Sequence, residues 1–264
     1  MEFKFERKTF NINERLRVGI ISDSQLSPVR RKNETTFRNN LVLSFSVLKK
    51  QGCNMIIFAG DIGNMASGFA YDTYKAAFKS VFGEKIPIIQ SIMGNHDYYG
   101  LRTSENCRRL FAKKIGSSPF THYTVNGFHF IGVSPDCEKM SDGYRKILPY
   151  LKIEIELAKK EYGDRPIFVT THNCAENTVA GVTETRNDVT VFVESFIHAA
   201  AIEVYVRMIL GNTLDSFGSG DDGHELDVLA ALLLDKVESS RTRTARCEHR
   251  VKDDDKTVCN VLRQ

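Results

Sequence analysis

A chain of 264 residues with 42% hydrophobic and 26% charged side chains is long enough for one substantial α/β domain with a modest extension, and its balance is that of a soluble globular protein. A formal charge of +3 is too small for the global field to recruit a nucleic acid or a membrane surface, so an anionic ligand would need a local site. No run approaches the roughly 20 apolar residues that cross a membrane, and residues 1–17 alternate charged and aromatic side chains without the apolar core of a signal peptide. Six cysteines (Cys53, Cys107, Cys137, Cys174, Cys247, Cys259) are scattered with no C-x-x-C pair, the pattern of reduced thiols in a cytoplasmic protein.

In chain order, short apolar runs ending at Gly, Asp or Asn predict buried strands over 17–22, 54–59, 86–93, 128–134 and 166–171. Helical spacing covers 36–51, 71–81, 104–114 and 144–162. The last of these places Leu148, Leu151, Ile155 and Ala158 on one face, with Lys, Glu and Arg opposite. Strands alternating with helices imply a largely parallel sheet covered on its faces. Residues 121–125, then Asn126-Gly127, then 128–134 carry a hairpin signal, so the sheet is expected to be mixed.

After Gly181 the pattern weakens. Residues 189–201 read as a helix, 202–210 as a strand, 215–223 as a Gly- and Asp-rich segment and 225–237 as an apolar helix. The charged stretch 238–264 is low in large apolar residues and is expected to be poorly ordered. The expected division is therefore a domain over 1–214 and a diverged or poorly ordered extension over 215–264, with no internal repeat.

Polar, metal-capable residues recur at one kind of place, directly after a predicted strand. Asp23 and Gln25 follow the first, Asp61 the second, Asn95, His96 and Asp97 the third, and His172 the last. The carboxyl ends of parallel strands converge on one edge, so residues far apart in sequence can meet there. A carboxylate such as Asp61 can bridge two cations while imidazole and amide oxygens complete the coordination. Two cations about 3.5–4 Å apart can activate a water and clamp a phosphoryl group. Gly60 and Gly94 let the backbone turn and bring the next side chain to the site.

Asp23-Ser-Gln25, Gly60-Asp61-Ile-Gly-Asn64, Gly94-Asn95-His96-Asp97 and Thr171-His172 together resemble successive blocks of the calcineurin-like metallophosphoesterases, over residues 18–181 and in the family's order. The resemblance implies a four-layer α/β/β/α sandwich, a mixed sheet with the metal site at its strand ends, and two divalent metal ions (Mn, Fe, Zn or Mg). It implies metal ligation by Asp23, Gln25, Asp61, Asn95 and His172, with Asp61 bridging, and a substrate that is a phosphomonoester or phosphodiester. His96 would be the general acid for the leaving oxygen, with Asp97 supporting it. Histidine suits that task because its ordinary pKa of about 6.5 lets it donate a proton near neutrality.

The sequence departs from the family pattern in two places. Gln25 stands where the family usually has His, and a glutamine oxygen shifts preference toward harder ions such as Mg²⁺ or Mn²⁺. The closing Gly-His-x-His block is missing; at the best-placed segment Asn212 and Leu214 stand in for its histidines, and His198 or His224 are the other candidates. A degenerate, weakly catalytic member serving as a binding or interaction module is therefore the rival reading. Each residue also has a plainer role: Asp as a helix N-cap, Gly94 and Asn95 as turn residues, His172 as a core histidine. Those roles do not account for this order at successive strand ends. Cys174 has no oxyanion feature beside it and reads as packing. A Rossmann-type nucleotide site is a poor reading, because residues 22–28 contain no Gly-x-Gly-x-x-Gly to cradle a pyrophosphate. Substrate class and oligomeric state are left open.

Overall fold

The protein was analysed as a computed structural model that describes residues 3–30, 34–137, 143–162, 166–173 and 206–210. In chain order the elements are β1 (Glu6–Phe10), β2 (Val18–Ile21), α1 (Glu34–Lys50), β3 (Met55–Ala59), α2 (Gly68–Phe82), β4 (Ile88–Ile92), a single 3-10 turn (His96–Tyr98), α3 (Ser104–Ile115), β5 (Phe120–Val125), β6 (Phe128–Val133), α4 (Leu148–Tyr162), β7 (Ile167–Thr171) and β8 (Val206–Leu210).

Alternation along the strands separates the layers. In β3, Ile56 and Phe58 point to one side and pack with Leu41, Phe45 and Leu48 of α1 and Tyr71, Tyr74 and Ala77 of α2. Met55 and Ile57 point to the other side and pack with Tyr123, Val125, Phe130 and Phe168. Those residues belong to β5, β6 and β7, whose intervening side chains Phe120, Ile131, Val133, Ile167 and Val169 pack on Leu151, Ile155 and Ala158 of α4. The period of two along a strand thus gives each sheet two buried faces. The result is helices, sheet, sheet, helix: the expected four-layer sandwich.

The strands divide into an all-parallel sheet in the order β2-β3-β4 and a mixed sheet in the order β1-β5-β6-β7-β8. The mixed character comes from the β5–β6 hairpin, where Val125 pairs with Phe128 across Asn126 and Gly127. Both turn residues have positive φ (48° and 81°), the conformation a two-residue hairpin loop needs and Asn-Gly adopts readily. Buried Gln90 of β4 joins the two sheets. Its amide donates to Thr121 Oγ1 at 2.9 Å and to the Phe130 carbonyl at 3.0 Å.

Several boundaries differ from the sequence expectation. Helix α2 begins at Gly68, not at 71, because Ser67 accepts the Phe69 N–H and caps it. Helix α4 begins at Leu148, not at 144, and residues 144–147 form turns. Strand β1 was not anticipated: Arg7, Lys8 and Thr9 are exposed and give no apolar run, as suits an edge strand. It pairs in parallel with β5 from Glu6↔Thr121 to Phe10↔Val125. The expected helices over 189–201 and 225–237, the boundary at 214/215 and the tail lie outside the described residues. No helix among the described residues is long and apolar enough to cross a membrane.

A chain of polar groups fixes β1 and α4 to the mixed sheet. Arg7 donates twice to Glu154, His122 Nδ1 lies 2.7 Å from Glu154 Oε2, and His122 Nε2 lies 2.7 Å from His129 Nδ1. Burial would raise the Glu154 pKa, but the hydrogen bond from His122 and the paired guanidinium of Arg7 outweigh it and bring it to about 2. Burial, reinforced by neighbouring His122, pushes His129 down to about 4. The Glu154 depression stabilises the fold at neutral pH and is lost as pH falls from 4.5 to about 2. The His129 depression adds nothing at neutral pH, where the ring is uncharged folded or unfolded; it is a cost of protonation that accrues as pH falls from 6.5 to about 4, so both groups weaken the fold on acidification. Glu154→Gln is expected to lower the unfolding free energy by about 1–3 kcal/mol near pH 7. In urea titrations that deficit should shrink steadily below pH 4.5; a deficit independent of pH would show that the carboxylate charge is not what stabilises.

Candidate metal centre

The parallel strands β2, β3 and β4 end at one edge, and the loops that follow them are fastened to one another. Asp23 N–H donates to the Gly60 carbonyl at 3.0 Å, Gln25 N–H to Asp61 O at 3.1 Å and Leu26 N–H to Ile62 O at 3.0 Å. The Asn64 N–H returns to the Leu26 carbonyl at 2.9 Å. This ladder fixes Asp23 and Gln25 beside Asp61. Its cost is visible in the backbone: Asp23, Gln25 and Asp61 have φ of 57°, 45° and 55°. They are three of the four non-glycine residues with positive φ among those described; the fourth is Asn126 of the hairpin. Each such conformation costs on the order of 1–3 kcal/mol and persists only where surrounding bonds enforce it.

His172, directly after β7, enters from the mixed sheet. Its N–H and that of Asn173 donate to the hydroxyl of buried Tyr144 at 3.1 and 3.3 Å, and its Nδ1 donates to the Ala59 carbonyl at 2.9 Å. That bond leaves Nε2 facing the site, 3.1 Å from Asn95 Oδ1 and 3.4 Å from Asp61 Oδ2. Ligand atoms of Asp23, Asp61 and His172 all lie within 4.8 Å of one another. Gln25 Nε2 donates to Asp61 Oδ2 at 2.8 Å, and Gln25 Oε1 is buried with no hydrogen-bond partner. The structure therefore brings together every expected metal-ligating residue: Asp23, Gln25, Asp61, Asn95 and His172.

Two glycines are required by contact. A Cβ on Gly94 would collide with Asp61 Oδ1, and one on Gly60 (φ 102°) would stand 2.7 Å from His172 Nδ1. Side chains there would occupy the space of the Asp61 carboxylate and the His172 ring.

The electrostatics of the cluster call for positive charge. Burial works against a charged His172, yet Asp61, Asp23 and the Ala59 carbonyl together raise its pKa to about 9. Burial likewise disfavours ionised Asp61, but His172 and the His96 N–H, which donates to Asp61 Oδ1 at 2.9 Å, hold it below the ordinary carboxylate value. Carboxylate oxygens, an orphaned amide oxygen and an imidazole nitrogen are a donor set that fits Mn, Fe, Zn or Mg.

His96 and Asp97 part company. The partly exposed His96 ring is 2.9 Å, through Nδ1, from Asn64 Oδ1, so Nδ1–H donates and Nε2 stays clear of that bond. Asp97 was expected to support His96, but its oxygens are engaged elsewhere. They accept the N–H groups of Ile62 (3.2 Å), Gly63 (3.1 Å) and Gly94 (3.0 Å) and the Tyr71 hydroxyl (3.2 Å). Complete burial and the nearby Asp61 charge push Asp97 up to about 7 against the N–H groups of Gly94, Gly63 and Ile62. The ring's partner is Asn64, which the sequence placed in its block without a role; its signal was the last position of Gly-Asp-x-x-Asn. Tyr99 Oη, which accepts from Asn95 Nδ2 at 3.0 Å, was signalled only by its position four residues after Asn95. Tyr144 and Tyr71 had no sequence signal. Asn212, Leu214, His198, His224 and Cys174 lie outside the described residues, although β8 delivers Leu210 beside Thr171 at this same edge.

No family model and no curated protein matches the chain. Among solved structures it is similar to a dimetal phosphatase from Danio rerio (LOC 393393), with a TM-score of 0.50 and 12% identity over 70% of this chain and 77% of that one. It also aligns with the purple acid phosphatase PPD1 from yellow lupin (Lupinus luteus) seeds, with a TM-score of 0.41 and 12% identity over 61% of this chain and 31% of that one. The fold is thus of the metallophosphoesterase type, as the likeness to the zebrafish structure shows.

Asp97 ties the loops after β3 and β4 into one body, and its removal should be felt as stability. Tyr71→Phe deletes one of four donors and is expected to cost about 1 kcal/mol, whereas Asp97→Ala strands three buried N–H groups and should cost about 3 kcal/mol or more. Urea unfolding of the metal-free protein measures both. Equal, small losses would show that water replaces the carboxylate.

Proposed function

We propose that the protein hydrolyses a phosphomonoester or phosphodiester with water at a site holding two divalent cations. The observation that carries this reading is the convergence within 4.8 Å of Asp23, Asp61 and His172, delivered by three separate strand ends. The zebrafish protein of like fold is a dimetal phosphatase, and the same chemistry is the reading that best suits this donor set.

Asp23 and Gln25 would hold one cation, Asn95 and His172 the other, and Asp61 both. When bound, the pair supplies an activated water and neutralises the phosphoryl oxygens. The chain's own residues do the rest. Ala59 keeps His172 in the tautomer that leaves Nε2 toward the cations, and Tyr99 orients the Asn95 amide with Oδ1 facing inward. His96, anchored through Nδ1 to Asn64, donates its Nε2 proton to the departing alcohol oxygen. Gly94 admits the Asp61 carboxylate without a clash.

Hydrolysis of p-nitrophenyl phosphate and its bis ester by chelator-stripped protein resupplied with Mn²⁺ tests the reading. Turnover should require the added metal and disappear in Asp61→Ala. His96→Ala should lower kcat by roughly 10²–10⁴-fold while Mn²⁺ binding, followed by calorimetry, stays unchanged. Absence of turnover with any divalent metal, from protein shown to be folded, would overturn the catalytic claim and favour a binding module on the same scaffold.

A further inference from the structure

Four of the seven large hydrophobic side chains exposed among the described residues stand on the three loops that frame His96. Val29 (50% exposed) lies beyond β2, Met65 (38%) beyond β3, and Tyr99 (37%) and Leu101 (107%) beyond β4. The loops touch. Ser67 Oγ donates to the Pro28 carbonyl at 2.6 Å, and Ala66 N–H donates to the Tyr99 carbonyl at 3.1 Å. A Cβ on Gly100 would meet Met65 Cε at 3.5 Å, and the Tyr99 ring centroid is 4.3 Å from that of His96. Single exposed hydrophobic residues are ordinary, but a contiguous group beside a site marks a contact surface. Segments 26–30, 62–67 and 98–102 contain no acidic residue and add Arg30 and Arg102, so an anionic ester meets no repulsion from them.

We propose that this apolar shelf receives the alcohol portion of the substrate, and that the substrates are phosphate esters of apolar, alkyl or aryl, alcohols. The inference rests on the reading of His96 as the acid that protonates the leaving oxygen. The group carried by that oxygen must then lie on the His96 side of the site, where the Tyr99 ring lies against His96 and exposed Met65 and Leu101 stand on the adjoining loops. A sugar or glycerol group would lose hydration against these side chains without gaining partners, whereas an alkyl or aryl group removes apolar area from water. Tyr99 is the fixed part of the shelf, because its hydroxyl is bonded to Asn95 Nδ2 at 3.0 Å. Met65 is the adaptable part, as unbranched thioethers fit varied shapes.

Primary n-alkyl phosphates from ethyl to octyl, used below micelle-forming concentrations, release alcohols of nearly equal basicity, so chain length varies apolar area alone. With the Mn²⁺-loaded full chain, kcat/KM should rise about twofold per methylene, against the roughly fourfold of a fully buried one. Met65→Ser and Leu101→Ser should bring the octyl-to-ethyl ratio toward one, while Ile153→Ser, an exposed site on α4, should leave it unchanged. The ratio is taken within one preparation, so partial unfolding cancels. A flat series with measurable turnover overturns the shelf and leaves the hydrolase reading standing. Calorimetric binding of n-alkylphosphonates, which cannot be cleaved, separates the two claims. Tighter binding of octyl- than of ethylphosphonate, lost in Leu101→Ser, supports the shelf even where turnover is absent; equal binding overturns it.

Discussion

Asp97 carries a carboxylate with no access to solvent, and its two oxygens gather the N–H groups of Ile62, Gly63 and Gly94 and the hydroxyl of Tyr71. A buried acid is tolerated only where donors replace the lost water, and here the donors come from two loops and a helix. The loop after β3 cannot move relative to the loop after β4 without stranding them. Asp61 sits on the first loop and Asn95 and His96 on the second, so the geometry of the site is inherited from this buried knot.

Around the knot, stability is given up for placement. Left-handed backbone at Asp23, Gln25 and Asp61 is unfavourable for residues with a Cβ, and the loop-to-loop hydrogen bonds hold it in place. What the strain achieves is convergence of negative charge and of one buried imidazole. The raised pKa of His172 reports that convergence from the imidazole's side, and the lowered pKa of Asp61 reports it from the carboxylate's. Such a cluster gains by accepting a cation. On its rim, His96 joins two neighbours of different character: Asn64 fixes its proton, and the Tyr99 ring begins an apolar surface.

The two sheets serve the same end. Asp23, Asp61 and Asn95 follow strands of the parallel sheet, but His172 follows β7 of the mixed sheet, so the site exists only while the sheets remain stacked. The stack is held by alternating side chains, Met55 and Ile57 against Tyr123, Val125, Phe130 and Phe168, and by the buried amide of Gln90. Gly132 permits the close approach, since a Cβ there would fall 2.6 Å from Thr121 Oγ1 and 2.9 Å from Ile92 Cγ2.

Local pattern carried a good part of this. Apolar runs marked β2, β3, β4, β6 and β7, the Asn126-Gly127 pair marked the hairpin, and each candidate ligand declared itself by standing directly after a strand. Those features were legible because they depend on neighbours in the chain: a period of two, a turn that needs positive φ, a donor at a strand's end. Strand β1 carries no such local signal, because its charged residues face solvent and its pairing with β5 joins Glu6 to Thr121. The partners of Asp97 and His96 were equally silent. The sequence alone determined which groups can bind a cation and in what order they arrive. Only the tertiary structure decided that Asp97 braces loops, that Asn64 holds His96 and that Tyr144 holds His172, because hydrogen bonds between distant segments leave no periodic trace in the chain.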